Sequence, residues 1–550
     1  MEENKQPDVI EEVEATPVTD PVAMEEKVES PYKNGFLKGL DNFFGVTKAK
    51  SSIKVELFAG IATFLAMCYI LVVNPNQILY VNGIGDKMWS SVFIATVFGA
   101  VIGTVLMSLM AKMPYAQAPG MGLNAAVGGL IGGVSAGTTD AIMGFGNAML
   151  LVLISGFVFL LLTIIPGGKD KQGKRVSLRE YIFDAIPKGI RNAIPVGIGL
   201  FIAYIGLQNA GVIVTNGFTQ VDLVLFNVYT PQLVNWISGN SVLITSPLVC
   251  FIGLFTIAIL SRFKVKAAVI IGILVATIAA IPMGVADLAV LTGEAGISWA
   301  FWENFANFFS MDPANGGSFL AAFTSGLDFS GSAMQGVGLV FTCIMTVISF
   351  CMIDMFDTMG TITGCATRAG LIDEDGKPLN LGKCMYADAI ATCAGAALGT
   401  STVTTFVESG AGVAAGGKTG LTALTVAGLF FLSIFVLPFF AFIPSAAAAS
   451  ALVYVGVLMM ANVKNIDFIN PKNAVSAFLT IVIMPLGYSI TDGIGIGLLA
   501  YTIISVCEYI GGYIVYAVKK TEKPQWELSP ITIVVVMLFL VYFFVPTSFS

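Results

Sequence analysis

The side chains in this chain of 550 residues best placed to do chemistry are a few acids in apolar surroundings. Asp354 and Asp357 stand three residues apart in ISFCMIDMFDTMGTITG, which puts both on one helix face with Thr358 and Thr361 close by. Glu408 closes the stretch TSTVTTFVE and runs directly into Ser409, Gly410 and Gly412. Asn124 follows a second irregular stretch, AQAPGMG, which ends at Gly122. Histidine is absent altogether, which removes histidine proton relays, most zinc sites and the Ser-His-Asp triad. The eight cysteines (Cys68, Cys250, Cys343, Cys351, Cys365, Cys384, Cys393 and Cys507) lie singly with no CxxC pair, so neither metal ligation nor a disulfide is expected. No GxxxxGK[ST] phosphate loop is present. The sequence therefore calls for no metal, no cofactor and no enzymatic activity.

An acid in the middle of a bilayer is costly unless it is paired or functional, and these acids have no Lys or Arg close by in sequence. A carboxyl held away from water can take up and release a proton near neutral pH. Asp354, Asp357 and Glu408 are thus the candidates for proton coupling. Glu408 precedes a short run of small residues that can restart a helix, whose first N–H groups and positive dipole end would face the same space. A carboxylate beside such donors offers the alternating acceptor and donor pattern of a purine edge. On this reasoning Glu408, Ser409, Gly410, Gly122, Asn124 and Asp354 form the expected substrate-binding set. Asp388 lies near the start of the ninth window, while Asp467, Asp492 and Glu508 lie near the ends of apolar stretches, where reaching back to water explains them.

The elements that must position these residues are membrane helices. Hydrophobic residues make up 56% of the chain and charged ones 11%, with a mean hydropathy of +0.84. That composition leaves too little polar surface for a protein solvated by water. Fourteen windows read as spans of a roughly 30 Å hydrocarbon core. They fall near 56–78, 91–112, 121–135, 145–166, 193–215, 242–261, 266–285, 337–364, 384–398, 411–417, 421–441, 446–462, 474–490 and 494–518. Basic residues mark every second loop: Lys112, then Lys169 to Arg179, then Arg262 to Lys266, Arg368 with Lys377, Lys418, Lys464 with Lys472, and Lys519 with Lys520. Residues 216–241 and 286–336 hold no Lys or Arg. The alternation implies that the N-terminus and the region of residue 519 are both cytoplasmic. Residues 1–50 read as an acidic, disordered cytoplasmic tail, with no basic-then-apolar leader at its start. The apolar stretch at 531–547 is short for a span and reads as a helix at or partly entering the interface, with a fifteenth crossing as the alternative.

Two windows break the helical pattern. Ala116–Gly122 carries Pro and Gly, and Thr400–Gly412 is a β-branched run that favours extended backbone. PGMGLNAAVGG at 119–129 aligns without gaps to SGAGVAAGGKT at 409–419. The two breaks lie seven spans apart, so the second copy is inverted relative to the first. Inverted repeats with matching broken helices point to a secondary transporter whose site lies between the breaks.

The chain resembles the xanthine/uracil permease superfamily of nucleobase symporters, in its adenine/guanine/hypoxanthine branch. The residues that carry the resemblance are ELFAGIATFLAMCYILVVNPNQIL (56–79), APGMGLNAA (118–126), GIGLFIAYIGLQNAG (197–211), DMFDTMGTITG (354–364), the segment 387–424 around TVTTFVESGAGVAAGG, and AFLTIVIMPLGYSITDGIGIG (477–497). The resemblance implies an all-α polytopic membrane protein of fourteen spans, a seven-plus-seven inverted repeat with spans 3 and 10 broken by short extended segments. Its core domain would comprise 51–167 and 337–441, and its gate domain 190–286 and 446–518, with pairing of two copies through the gate. It also implies import of adenine, guanine or hypoxanthine with a proton by an elevator-type motion; the short tail without a cleavable signal points to a bacterial inner membrane. Glu408 would bind the base with Asp354 and Asn124 near it, and Asp357 would serve proton coupling. Uracil, xanthine or an anion are the other substrates this architecture carries, and an unpaired Glu408 would repel an anion. No nucleic-acid partner is expected. The third-span motif of the family continues with an aromatic after Asn-Ala, whereas Ala126 and Val127 stand here.

Overall fold

A computed structural model describes residues 30–544 apart from 80–84, 133–142, 170–174, 217–219, 225–231, 235–240, 291–298, 331–335, 373–377, 520–522 and the single positions 244, 266, 287, 289, 300 and 312. The helices are α1 (Gly35–Phe44), α2 (Ile53–Met67), α3 (Ile70–Ile78), α4 (Gly85–Leu106), α5 (Met121–Gly132), α6 (Phe145–Ile164), α7 (Leu178–Ala185), α8 (Lys188–Asn209), α9 (Ser246–Arg262), α10 (Ala268–Ala280), α11 (Phe301–Phe308) and α12 (Ala321–Thr324). They continue as α13 (Gly336–Ala369), α14 (Leu381–Leu398), α15 (Ser409–Ala414), α16 (Gly420–Ser433), α17 (Leu437–Ala441), α18 (Ser445–Met459), α19 (Pro471–Leu486), α20 (Ile490–Lys519) and α21 (Pro530–Phe544). Strands are short: β1 (Gln117–Pro119), a β2–β3 hairpin (Pro166–Lys169, Arg175–Ser177), a β4–β5 hairpin (Ile213–Asn216, Gln220–Leu223), a β6–β7 hairpin (Gln232–Val234, Ser241–Leu243) and β8 (Val403–Thr405).

Helical structure falls in each of the fourteen apolar windows. Among the described residues, eight helical stretches are long and apolar enough to cross a bilayer, and five further apolar helices are shorter. The protein is a multi-pass membrane protein. The expectation of a disordered tail over 1–50 is corrected in part. Residues 1–29 lie outside the described residues, but Gly35–Phe44 is a helix capped by Asn34 and closed by Gly45 in the left-handed region. Asp41 on that helix accepts from the backbone N–H and the hydroxyl of Thr47 at 2.8 Å each. The tail's alternation of Phe36, Leu37, Leu40 and Phe44 with polar residues explains why this part folds. The C-terminal apolar stretch is a helix from Pro530 to Phe544, and residues 545–547 lie outside the described residues.

The helices pack as two groups. One joins α2 to α6 with α13 to α16; the other joins α8, α9 and α10 with α18, α19 and α20. Small residues permit the close crossings inside the second group. A Cβ on Gly456 of α18 would lie 2.5 Å from the Gly199 carbonyl of α8, so the two backbones touch there. The groups meet where α5 and α13 lie against α8, and α13 against α20.

The two breaks in the sequence come together at the centre of the first group. β1 and β8 pair antiparallel, with Gln117 opposite Thr405, Ala118 opposite Thr404 and Pro119 opposite Val403. Each strand runs straight into a short helix, β1 into α5 and β8 through a turn into α15. Val and Thr favour extended backbone, and pairing satisfies the donors and acceptors that a broken helix would otherwise leave bare in an apolar interior. Gly120 must lack a side chain for this, because a Cβ there would sit 2.5 Å from Cγ2 of Thr404.

Candidate functional site

A cavity opens beside the strand pair, lined by Met121, Gly122, Ile198, Ile202, Asp357, Thr361, Thr405, Phe406, Val407, Glu408 and Met459. The space within it comes to ≈ 340 Å³ with the adjoining open solvent included. The polar groups on its wall are two carboxyls and two hydroxyls, all from the first helix group. Ile198, Ile202 and Met459, from α8 and α18, supply an apolar opposite wall.

Glu408 stands at the head of α15 and is 8% exposed. Its Oε1 accepts a 2.5 Å hydrogen bond from the Tyr69 hydroxyl, while its Oε2 is buried with no hydrogen-bond partner. One oxygen is therefore held in place and the other is free to accept. Tyr69 sits at the joint between α2 and α3 and is buried to 1% exposure. Asp357 lines the cavity from α13, and Thr361 lies one turn further along the same face.

Other expected site residues sit elsewhere. Asp354 is not on the cavity wall; it is buried behind β8, where its Oδ2 accepts from the Thr392 hydroxyl at 3.2 Å and its Oδ1 has no partner. Its spacing from Asp357 is three residues, or 300° around a helix, so the two carboxyls diverge by about 60° and only one meets the cavity. Asn124 is also fully buried and off the wall, where its Oδ1 accepts from the Ser401 hydroxyl. Gly122 is on the wall. The expectation that free backbone donors of Ser409 and Gly410 face the substrate is corrected. Ser409 N–H donates to the Phe406 carbonyl and Gly410 N–H to that of Val407, because the chain turns tightly between β8 and α15. The Ser409 hydroxyl is likewise taken, accepting from the Ala116 N–H at 3.0 Å.

Sequence reasoning missed four participants. Tyr69 and Phe406 carry no local signal beyond their aromatic rings, although Phe406 restores an aromatic to the cavity that the motif after Asn124 lacks. The other two are Asp388 and Arg179. Asp388, near the start of the ninth window, is fully buried and accepts from Thr358 Oγ1 at 2.9 Å and Gln117 Nε2 at 3.2 Å. Arg179, counted among the loop cations, is also fully buried and pairs with Asp388 at 3.4 Å. The partners stand 209 positions apart, so no local pattern could join them. The acids at the far end of the sequence behave as expected of a wet boundary, with Lys472 bridging Glu508 at 2.8 Å and Glu527 at 2.6 Å.

A sequence profile of a permease family, that of the xanthine/uracil permeases, matches residues 54–496. The chain belongs to this permease family. It is 34% identical to the adenine permease AdeQ of Escherichia coli (strain K12), covering 85% of this chain and 91% of AdeQ. It is also 34% identical to the guanine/hypoxanthine permease PbuO of Bacillus subtilis (strain 168), over 91% of this chain and all of PbuO. A putative permease of Methanocaldococcus jannaschii is 38% identical over 86% of this chain and 93% of its own length. These relatives are permeases, and this protein is a transporter, not an enzyme. Among solved structures, the transmembrane domain of the cyanobacterial bicarbonate transporter BicA superposes with a TM-score of 0.51 at 15% identity, covering 82% of this chain and 97% of that one. Murine Slc26a9, an anion transporter in the inward-facing state, superposes with a TM-score of 0.52 at 11% identity, over 92% of this chain and 77% of that one. At such identities the likeness speaks for the fold alone.

Proposed function

We propose that this permease imports a neutral purine base, adenine, guanine or hypoxanthine, together with a proton. The observation that carries the reading is the buried, unpartnered Oε2 of Glu408, a residue that lines the cavity with Asp357, Thr361 and Thr405. Such a wall is rich in acceptors and suits the ring and exocyclic N–H donors of a purine. Phe406 and the aliphatic side chains accept its flat faces. A bicarbonate or sulfate ion would meet two carboxyls with no cation on the wall among the described residues, so an anion substrate is disfavoured. The names of AdeQ and PbuO agree with a purine. Uracil and xanthine are the other candidates, and uptake measurements separate them.

Substrate and proton meet at the same groups. Asp357 and Glu408 face the cavity, and Asp354 stands behind β8 within the same cluster. Proton binding to this cluster alongside the base gives symport by simple linkage: a neutral carboxyl is easier to carry through an apolar interior than a charged one. The division of the wall supports an elevator. The polar groups that hold the base all belong to one helix group, residues 51–167 with 337–441, which serves as the moving core. The other group, 190–286 with 446–518, presents an apolar face along which it can slide and serves as the gate. The fold is fourteen crossings in two inverted sevens, with spans 3 and 10 broken at β1 and β8, the N-terminus and the region of residue 519 cytoplasmic, and two copies paired through their gates in a bacterial inner membrane.

The test is uptake of labelled adenine, guanine, hypoxanthine, xanthine and uracil by cells lacking their own purine permeases, with and without a protonophore. Uptake of the three named purines that collapses with the protonophore supports the proposal. Uptake indifferent to the protonophore removes proton coupling, and uptake confined to uracil or xanthine removes the substrate assignment.

A further inference from the structure

Arg179 lies on α7, the short helix that joins the two helix groups between α6 and α8. A cation on a connector would ordinarily point into water. This one is fully buried, with its guanidinium carbon 3.5 Å from the ring centroid of Phe159. Its Nη2 reaches Asp388 Oδ2 at 3.4 Å and its Nη1 donates to the Met385 carbonyl at 3.4 Å. Asp354 is also within its electrostatic reach. Four acids (Asp354, Asp357, Asp388 and Glu408) stand around the strand pair, and among the described residues Arg179 is the buried cation that faces two of them, Asp388 and Asp354.

The Asp388 carboxylate is the hub of a set of hydrogen bonds that grips both strands. Gln117 of β1 donates from Nε2 to Asp388 at 3.2 Å and to the Thr405 hydroxyl at 3.3 Å, and Thr405 is on the cavity wall. Thr358 of α13 donates to Asp388 at 2.9 Å, and its oxygen lies 2.8 Å from that of Thr404 on β8. Two hydrogen bonds therefore lead from Asp388 to the wall of the cavity. A carboxyl this deep must be neutralised by a cation or by a proton, and Arg179 supplies the cation that lets Asp388 stay ionised and accept from its neighbours.

We propose that Arg179 is a positioning residue for the substrate site: the connector inserts its guanidinium into the core, fixes the charge of Asp388, and so holds β1 and β8 in the register that builds the cavity. The inference rests on the transport reading for its substrate arm but not for its structural arm. Removing the cation leaves Asp388 without its charge partner, so the carboxyl must take up a proton or draw in water, and either change disturbs the bonds it accepts from Thr358 and Gln117. Removing both charges relieves that demand, since the amide oxygen that Asp388→Asn leaves in place would still accept from Thr358 and Gln117.

The experiment compares Arg179→Met, Arg179→Lys and the double variant Arg179→Met with Asp388→Asn in purified full-length protein. Hydrogen exchange is read at the backbone amides of Gln117, Ala118, Gly120 and residues 403–406, and KM and Vmax for purine uptake are measured in parallel. Arg179→Met should speed exchange of these amides about ten-fold or more and raise KM by a similar factor. The double variant should return both to within about three-fold of the parent, and Arg179→Lys should lie close to the parent because it keeps the charge. Parent-like exchange and KM in Arg179→Met overturn the proposal, as does a double variant no better than the single one. Should Arg179→Met fail to accumulate in the membrane, an improved double variant supports the proposal and an equally absent one overturns it. A parent protein that carries no purine defeats the function reading alone, because exchange at the strand pair still decides the role of Arg179.

Discussion

Replacing Glu408 by Gln changes one oxygen to an amino group and almost nothing in volume. The structure says which interaction survives. Oε1 can go on accepting from Tyr69, whose hydroxyl is 2.5 Å away, and this leaves the new NH2 at the position of the free Oε2. An acceptor facing the base thus becomes a donor. The loss is one charge-assisted hydrogen bond, worth about 1.5–3 kcal/mol, to which a buried donor facing a donor adds roughly another 1–3 kcal/mol. Taking the middle of that range, about 4 kcal/mol, affinity falls by roughly three orders of magnitude. The fold should survive, because the Tyr69 contact and the packing of α15 are kept. The assay is equilibrium binding of labelled purine to detergent-solubilised protein, with uptake in cells measured beside membrane abundance. Binding that is lost by ~10³-fold in a protein of normal abundance agrees with the argument. Binding and uptake within about three-fold of the parent would mean that Oε2 does not meet the base, and the proposed site would have to be abandoned.

Two further substitutions probe the same cavity. Phe406→Ala removes the aromatic wall; if the base stacks there, KM should rise with a loss of about 1–3 kcal/mol, while unchanged KM would assign Phe406 to packing alone. Gly122→Ala puts a methyl where a Cβ would meet Ile490 Cδ1 at 2.8 Å and Ile198 Cγ2 at 3.7 Å, both side-chain tips on the other helix group. Those tips can yield, so the protein should fold with KM within about two-fold of the parent, but Vmax should drop several-fold if the two groups slide past each other during transport. An undiminished Vmax would speak against sliding at this seam.

Much of the architecture was legible because it follows from local composition. Apolar windows with alternating basic loops are set by the cost of exposing polar groups to lipid, and a helix was found in each. The irregular stretches at 116–122 and 400–412 announced themselves through Pro, Gly and β-branched residues, and Glu408 through its lack of any nearby cation. Those features need no partner to be recognised. Ser409 and Gly410 misled because a helix start in sequence looks the same whether its N–H groups are free or closed into a turn, and only the fold shows Phe406 and Val407 taking them.

Tertiary structure alone decided the partnerships. Glu408 lies 339 positions from Tyr69, and Arg179 lies 209 positions from Asp388. Which acid of the pair 354 and 357 reaches the cavity depended on the rotation of α13 against β8, and whether a basic connector residue stays in water depended on how α7 docks. Sequence determines the cost of placing a charge in an apolar interior. Meeting that cost takes a second group brought to within a few ångströms, and that is a property of the folded chain.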